Sequence, residues 1–298
     1  MEINQKKALL YGLIAVFLWS TVASAFKLSL RYLDTIQLLL YASFFSLILL
    51  SLVIIYQKKI TLIFSYSFKE YLFLGILGVI NPFFYYLVLF KAYDLLPAQE
   101  VQPLNYTWAL TLSYLSVLIL KHSLKKEDIL GGIVSYFGVM IISTHGNLLN
   151  FSFTNSQGVF LALFSTLLWS LYWLYNAKLN VDPIVGLFIN FLSAFPLILI
   201  WSFLFSNPFE VSWYGILGAS YVGLFEMGIT FILWLKAIKM STNASKIANL
   251  IFISPFISLG LISIFVGEII QTSTLVGLIF IIMGLFIQQR SKIPVFKE

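Results

Sequence analysis

Glu226 lies about midway along the apolar run 213–235, and no other carboxylate sits so deep inside such a run of the 298-residue chain. Desolvation favours the neutral form of a carboxyl group unless a cation or several donors stand close. At that position the group can carry a proton or face a substrate ammonium, and ionisable residues at membrane depth are enriched at functional sites. It can equally be a buried carboxyl satisfied by neighbouring hydroxyl or amide groups, with helix packing as its task. Asn81-Pro82 occupies the corresponding depth of the run 71–90. Proline frees a backbone carbonyl and kinks a helix, which serves a gate or shapes a bundle. Pro255 has the same two readings.

Polar and aromatic residues recur at three- and four-residue steps, which puts them on single helix faces. One stripe is Gln102, Asn105, Tyr106, Ala109 and Ser113; a second is Ser165, Trp169, Tyr172 and Asn176; a third is Ser220, Gly223, Glu226, Thr230 and Trp234. Polar side chains at membrane depth should face a bundle interior or a water-filled cavity. The expected cavity set is Trp19, Asn81, Asn105, Tyr106, Trp108, Trp169, Tyr172 and Asn176, with Glu226 as the coupling group. The aromatic members could stack on a substrate or simply pack. Other chemistry is missing from the pattern. Cysteine is absent, and His122 and His145 fall in different loops, so no metal cluster of histidines is available. No glycine-rich phosphate loop occurs. Ser123-Leu-Lys-Lys126 fits a Ser-x-x-Lys pattern inside a charged loop, and the sequon Asn105-Tyr-Thr107 lies within an apolar run. Neither an enzyme nor a cofactor is expected.

The elements that must position these residues are apolar runs of spanning length. Hydrophobic residues make up 60% of the chain and charged ones 10%, against about 45–50% and about 25% in soluble domains. Too little charge is present to cover a core, so lipid must do the covering. A span needs about 20 apolar residues. Such runs fall at 8–27, 36–56, 71–90, 101–120, 129–144, 157–177, 183–205, 213–235, 247–266 and 274–289. The net charge of +6 falls in short clusters between the runs rather than in a basic stripe, which speaks for membrane orientation and against nucleic acid. Alternate connections divide the cations unequally. One set holds Lys6, Lys7, Lys58, Lys59, Lys69, Lys121, Lys125, Lys126, Lys178, Lys236, Lys239, Lys246, Arg290, Lys292 and Lys297; the other holds Lys27, Arg31 and Lys91. By the positive-inside rule both termini are cytoplasmic, which requires an even number of spans. A secretory reading of Lys6-Lys7 followed by Ala23-Ser24-Ala25 is set aside, because the apolar run is long for a signal and the repeat needs this helix.

The two halves overlay in collinear order. Trp19-Ser20 matches Trp169-Ser170; Gly78, Asn81 and Lys91-Ala92 fall on Gly223, Glu226 and Lys236-Ala237; Gly131 and Gly138 fall on Gly277 and Gly284. Those glycines allow close helix approach. Five helices per half is an odd number, so the second half enters from the opposite side. The expected fold is an all-α polytopic membrane protein of ten transmembrane helices in two inverted five-helix repeats, 1–146 and 147–298. Inverted repeats recur in secondary transporters, where two similar conformations become inward- and outward-open states.

With these features in place, the chain resembles the drug/metabolite transporter superfamily, specifically its EamA-type permeases. The resemblance rests on Leu18-Trp19-Ser20, Lys236-Ala237, Ser254-Pro255 and Gly267-Glu268. Asn105-Tyr106-Thr107-Trp108 is similar to the Asn-Tyr-x-Trp segment of the aromatic amino-acid exporter branch, although Ala109 stands where a proline usually follows. The resemblance implies export of small organic metabolites such as amino acids across the cell membrane, with a small-molecule substrate and the lipid bilayer as partners. It leaves substrate, coupling and oligomeric state open. Carriage of a sugar or nucleotide-sugar is the alternative; it should require basic residues for phosphate, which the runs nearly lack. A membrane enzyme or a non-transporting scaffold fits the polar stripes less well.

Overall fold

The computed structural model describes residues 3–120, 125–149, 153–242, 247 and 249–289, and these form helices joined by short connections. Lys121, His122, Ser123, Lys246, Arg290, Lys292 and Lys297, weighed above, lie outside the described residues. Eight helices among the described residues are long and apolar enough to cross a membrane.

Helix starts follow local chemistry. Asn4 caps α1 (Gln5–Ser29) through Lys7 N at 3.1 Å. Asp34 and Gln37 form a reciprocal capping box for α2 (Thr35–Tyr56), as Ser67 and Glu70 do for α3 (Phe68–Gly78). Asn155 caps α8 (Ser156–Asn176), and Asp182 followed by Pro183 opens α9 (Pro183–Phe205). In these five helices a polar oxygen placed before the apolar stretch satisfies amides that have no partner in a first turn.

The third expected span is irregular in the middle. After α3, residues Val79–Phe84 leave the α-helical path, and Asn81 is extended at φ −143° and ψ 117°. The following Pro82 crowds the residue before it out of the helical region. The chain resumes as α4 (Tyr85–Leu95). The eighth expected span is also interrupted. Between α10 (Trp213–Tyr221) and α11 (Thr230–Met240), residues Val222–Ile229 form a wider π-type turn that carries Glu226. The Thr230 hydroxyl donates to the Phe225 carbonyl five residues back, in keeping with the wide turn.

Two expected spans take a different form. The run 101–120 is not one helix: α5 (Ala98–Tyr106) ends and α6 (Trp108–Leu120) begins on either side of Thr107. Pro103 removes a donor from α5, and the Thr107 hydroxyl bonds the Leu104 carbonyl at 2.7 Å. The run 129–144 is α7 (Lys126–Ser143), whose first turn carries Lys126, Glu127 and Asp128. The last two helices are α12 (Ser254–Leu261) and α13 (Thr272–Gln289).

Two compact units divide the chain, and each takes helices from both sequence halves. In the unit Met1–Phe83 with Val181–Gly267, α1 packs on α11 and α12, and α9 packs on α2 and α3. A Cβ at Gly78 would overlap the Asn190 carbonyl on α9, and one at Gly223 would overlap the Ala42 carbonyl on α2. Ser20 Oγ donates to Ser254 Oγ at 3.0 Å. In the unit Phe84–Asn180 with Glu268–Glu298, α7 packs along α13, and α8 packs on α4, α5 and α6. Ser170 Oγ donates to the Trp108 carbonyl at 3.0 Å, as Ser20 bonds Ser254 in the other unit.

Candidate functional site

The residues expected to line a cavity divide between the two units. Trp19, Asn81 and Glu226 belong to the first. The Trp19 ring meets Phe231 edge-on at 5.8 Å and Trp234 at 5.2 Å. Glu226 is 7% exposed and Asn81 2% exposed, so both polar groups are held inside the protein at irregular segments. Non-helical backbone at membrane depth is tolerated where it is buried in protein or lines a cavity. Thr21 and Tyr221 share a hydroxyl–hydroxyl hydrogen bond at 2.7 Å, adding a polar contact between α1 and the last turn of α10.

The second unit gathers Asn105, Tyr106, Trp108, Trp169, Tyr172 and Asn176. The break at Thr107 separates Tyr106 from Trp108 and leaves Asn105 in the last turn of α5. Asn105 Nδ2 donates to Ser165 Oγ at 2.9 Å, and Thr111 and Thr166 share a hydrogen bond at 2.9 Å. These contacts place the polar stripe of the broken helix against that of α8. On α8 itself Trp169 lies 4.6 Å from the Tyr85 ring and 6.2 Å from the Tyr172 ring. Asn176 Nδ2 reaches Tyr172 Oη at 3.5 Å. Tyr172 is buried, whereas Asn105, Tyr106, Trp108, Trp169 and Asn176 are half-buried. The arrangement joins an amide that both donates and accepts to a wall of aromatic faces. The chemistry on offer there is hydrogen bonding and ring stacking.

The sequence reading missed the polar network at the start of α5. Both Glu268 carboxylate oxygens accept from this first turn, from Ala98 N at 2.7 Å and Gln99 N at 3.0 Å. Gln99 Nε2 donates to the Ile269 carbonyl at 2.9 Å, and Gln99 Oε1 accepts from Gln271 N at 2.8 Å. Beside it Glu100 is 1% exposed, with Oε1 3.3 Å from His145 Nε2. His145 also bonds Gln271 and Thr154. Gly267-Glu268 was legible as a motif. Its partners stand some 170 positions away along the chain, where no local periodicity points to them. Among the described residues no group of three or more His, Cys, Asp or Glu could hold a metal ion.

Known proteins bear on this arrangement in three ways. A solved structure titled "Crystal structure of protein" superposes with a TM-score of 0.67 at 19% identity, covering 97% of this chain and 100% of its own, which is a likeness of fold. A protein of Clostridium kluyveri described as an uncharacterized transporter is 29% identical over 181 residues, which is 58% of this chain. The matched part spans 57% of that relative's length. The model of the EamA-like transporter family matches twice, at residues 6–144 and 156–288. Together with the apolar helices, these matches make the chain a multi-pass protein of the cell membrane, and it belongs to the EamA-like transporter family.

Proposed function

We propose that the chain is a secondary transporter that exports an amino acid or a similar amphipathic metabolite by alternating access. The observation that carries this reading is the break in the fourth expected span beside a wall of polar and aromatic side chains. Discontinuous helices at membrane depth form substrate sites in secondary transporters. Here the break at Thr107 lies two residues after Asn105, which is bonded to Ser165. Asn105 supplies amide donors and an acceptor for a carboxylate or ammonium, and Trp169 and Tyr172 supply stacking faces.

Glu226 is the proposed coupling group. It is 7% exposed and stands on the Val222–Ile229 turn, so an ionisable group is held in irregular backbone at membrane depth. Ten spans in two inverted repeats, with both termini cytoplasmic, complete the reading. The doubled family match supports the repeat. So do the paired contacts of Ser20 and Ser170, and those of Gly78 and Gly223, which join matched positions to backbone or hydroxyl groups of the other half.

The test is counterflow in proteoliposomes. Vesicles preloaded with one unlabelled amino acid at a time should accumulate the same labelled amino acid for one chemical group of substrates. Asn105→Ala and Trp169→Ala should each raise the half-saturating concentration about ten- to hundredfold, as loss of a buried hydrogen bond or a stacked ring implies. Absence of exchange across the whole amino-acid panel would reject the substrate class.

A further inference from the structure

A basic cavity of about 420 Å³ opens in the first unit where the end of α2, the start of α9 and the end of α11 come together. Its α11 wall is Ile232, Leu235, Lys236 and Lys239, spaced at three, four and seven residues and therefore on one helix face. Gln57 and Lys59 close the α2 side. Ile232 is 9% exposed and Lys239 is exposed, so the wall runs from apolar to cationic towards the helix end.

The one carboxylate in the lining, Asp182, is already committed. Its Oδ2 accepts from Lys59 Nζ at 2.6 Å, and its Oδ1 accepts from the Ile184 and Val185 amides at 3.0 and 3.2 Å. Partial burial by itself raises this carboxyl's pKa, but the Lys59 ammonium and the two amides outweigh it and hold the group below its ordinary value, ionised. Three lysines against one aspartate leave two positive charges, and among the described residues no carboxylate forms an ion pair with Lys236 or Lys239. Tyr56, 88% exposed, lies on the rim, a residue type suited to the headgroup level of a bilayer.

We propose that this cavity binds a phosphate group carried by an anionic lipid, with the headgroup on Lys236, Lys239 and Gln57 and an acyl chain along Ile232 and Leu235. The amphipathic wall selects a lipid over a free phosphate, since a small anion gains nothing from the apolar part. The positive-inside charge count assigns all three lysines to the cytoplasmic face, where anionic headgroups attract basic clusters. The site stands apart from the substrate reading and is tested without any transport measurement.

The experiment is thermal unfolding of the purified full-length chain in neutral detergent, titrated separately with phosphatidylglycerol, phosphatidylcholine and sn-glycerol 3-phosphate. Phosphatidylglycerol alone should raise the midpoint of the unaltered protein. The Lys236→Gln/Lys239→Gln variant should need about thirtyfold more of it, at roughly a factor of five per removed surface cation. Lys69→Gln, an exposed lysine outside the cavity, should behave like the unaltered chain. If the double variant folds poorly, Lys236→Arg/Lys239→Arg replaces it and should retain the response. A shift with glycerol phosphate equal to that with the lipid, lost in the glutamine variant, would overturn the lipid source and leave a free-phosphate site. An equal lipid response in the glutamine variant, or no response in the unaltered protein, would overturn the proposal altogether.

Discussion

Gly131 and Gly284 meet backbone to backbone: a Cβ at Gly131 would stand 2.5 Å from the Gly284 carbonyl oxygen, and one at Gly284 would overlap the Gly131 carbonyl. Gly138 and Gly277 repeat the relationship further along, with a Cβ at Gly277 falling 2.6 Å from the Gly138 carbonyl. Helices α7 and α13 therefore approach through two glycine pairs, and van der Waals contact of bare backbone holds them. Gly131→Ala should lower stability by about 1–3 kcal/mol, the range for overpacking a tight contact. Gly260→Ala is the matched control, because a Cβ there would meet nothing within 4 Å. It should be neutral or stabilising by up to about 1 kcal/mol through helix propensity. Unfolding midpoints in detergent for both variants check the pair.

Glu268 binds the first two amides of α5 through its two carboxylate oxygens. Glu268→Ala strips both bonds from a helix start and should cost about 1–2 kcal/mol, as lost caps do. Because α5 ends at the break beside Asn105 of the proposed substrate site, the variant should also weaken substrate binding. Glu268→Gln keeps acceptor capacity on one oxygen and should lose less of each. Unfolding and half-saturation measurements on the two variants separate the effects.

The Lys59–Asp182 ion pair predicts a pH signature. The Asp182 carboxyl is held below its ordinary value of 3.8, with burial acting against and Lys59 and two amides acting for the charged form. A carboxyl whose folded pKa lies below its unfolded one contributes stability above the unfolded value and loses it as pH falls through the folded value. The difference in midpoint between the unaltered chain and Asp182→Asn should be constant near neutral pH and shrink below about pH 4. A difference that persists unchanged into stronger acid would contradict the pairing.

Helix positions were legible because apolar length acts locally. Asp34 and Gln37, Ser67 and Glu70, and Asp182-Pro183 carry local capping signals as well, which the reading by apolar runs did not use. Pro82 marked the irregular turn at Asn81 through an equally local effect. The irregular turn at Glu226 has no proline and left no such mark. Thr107, where the fourth run divides, is itself an ordinary residue, and the local signal of Pro103 four positions earlier went unread, so 101–120 was expected as a single helix. Glu100 was passed over because it stands one position before that run, and its partner His145 belongs to a distant connection. Lys239 entered only the charge count of the connections, and Lys236 that count and the Lys-Ala motif; their cavity depends on α2 and α9 arriving beside them. Long-range neighbours of this kind leave no periodic trace.

The coupling role proposed for Glu226 is tested most directly by counterflow and by uptake driven by an imposed proton gradient, each for the unaltered protein beside Glu226→Gln at two values of pH. The account predicts amino-acid exchange by both proteins, with net proton-driven movement and its pH dependence lost in the variant. A Glu226→Gln protein that drives net movement with an unchanged pH profile would contradict the coupling role.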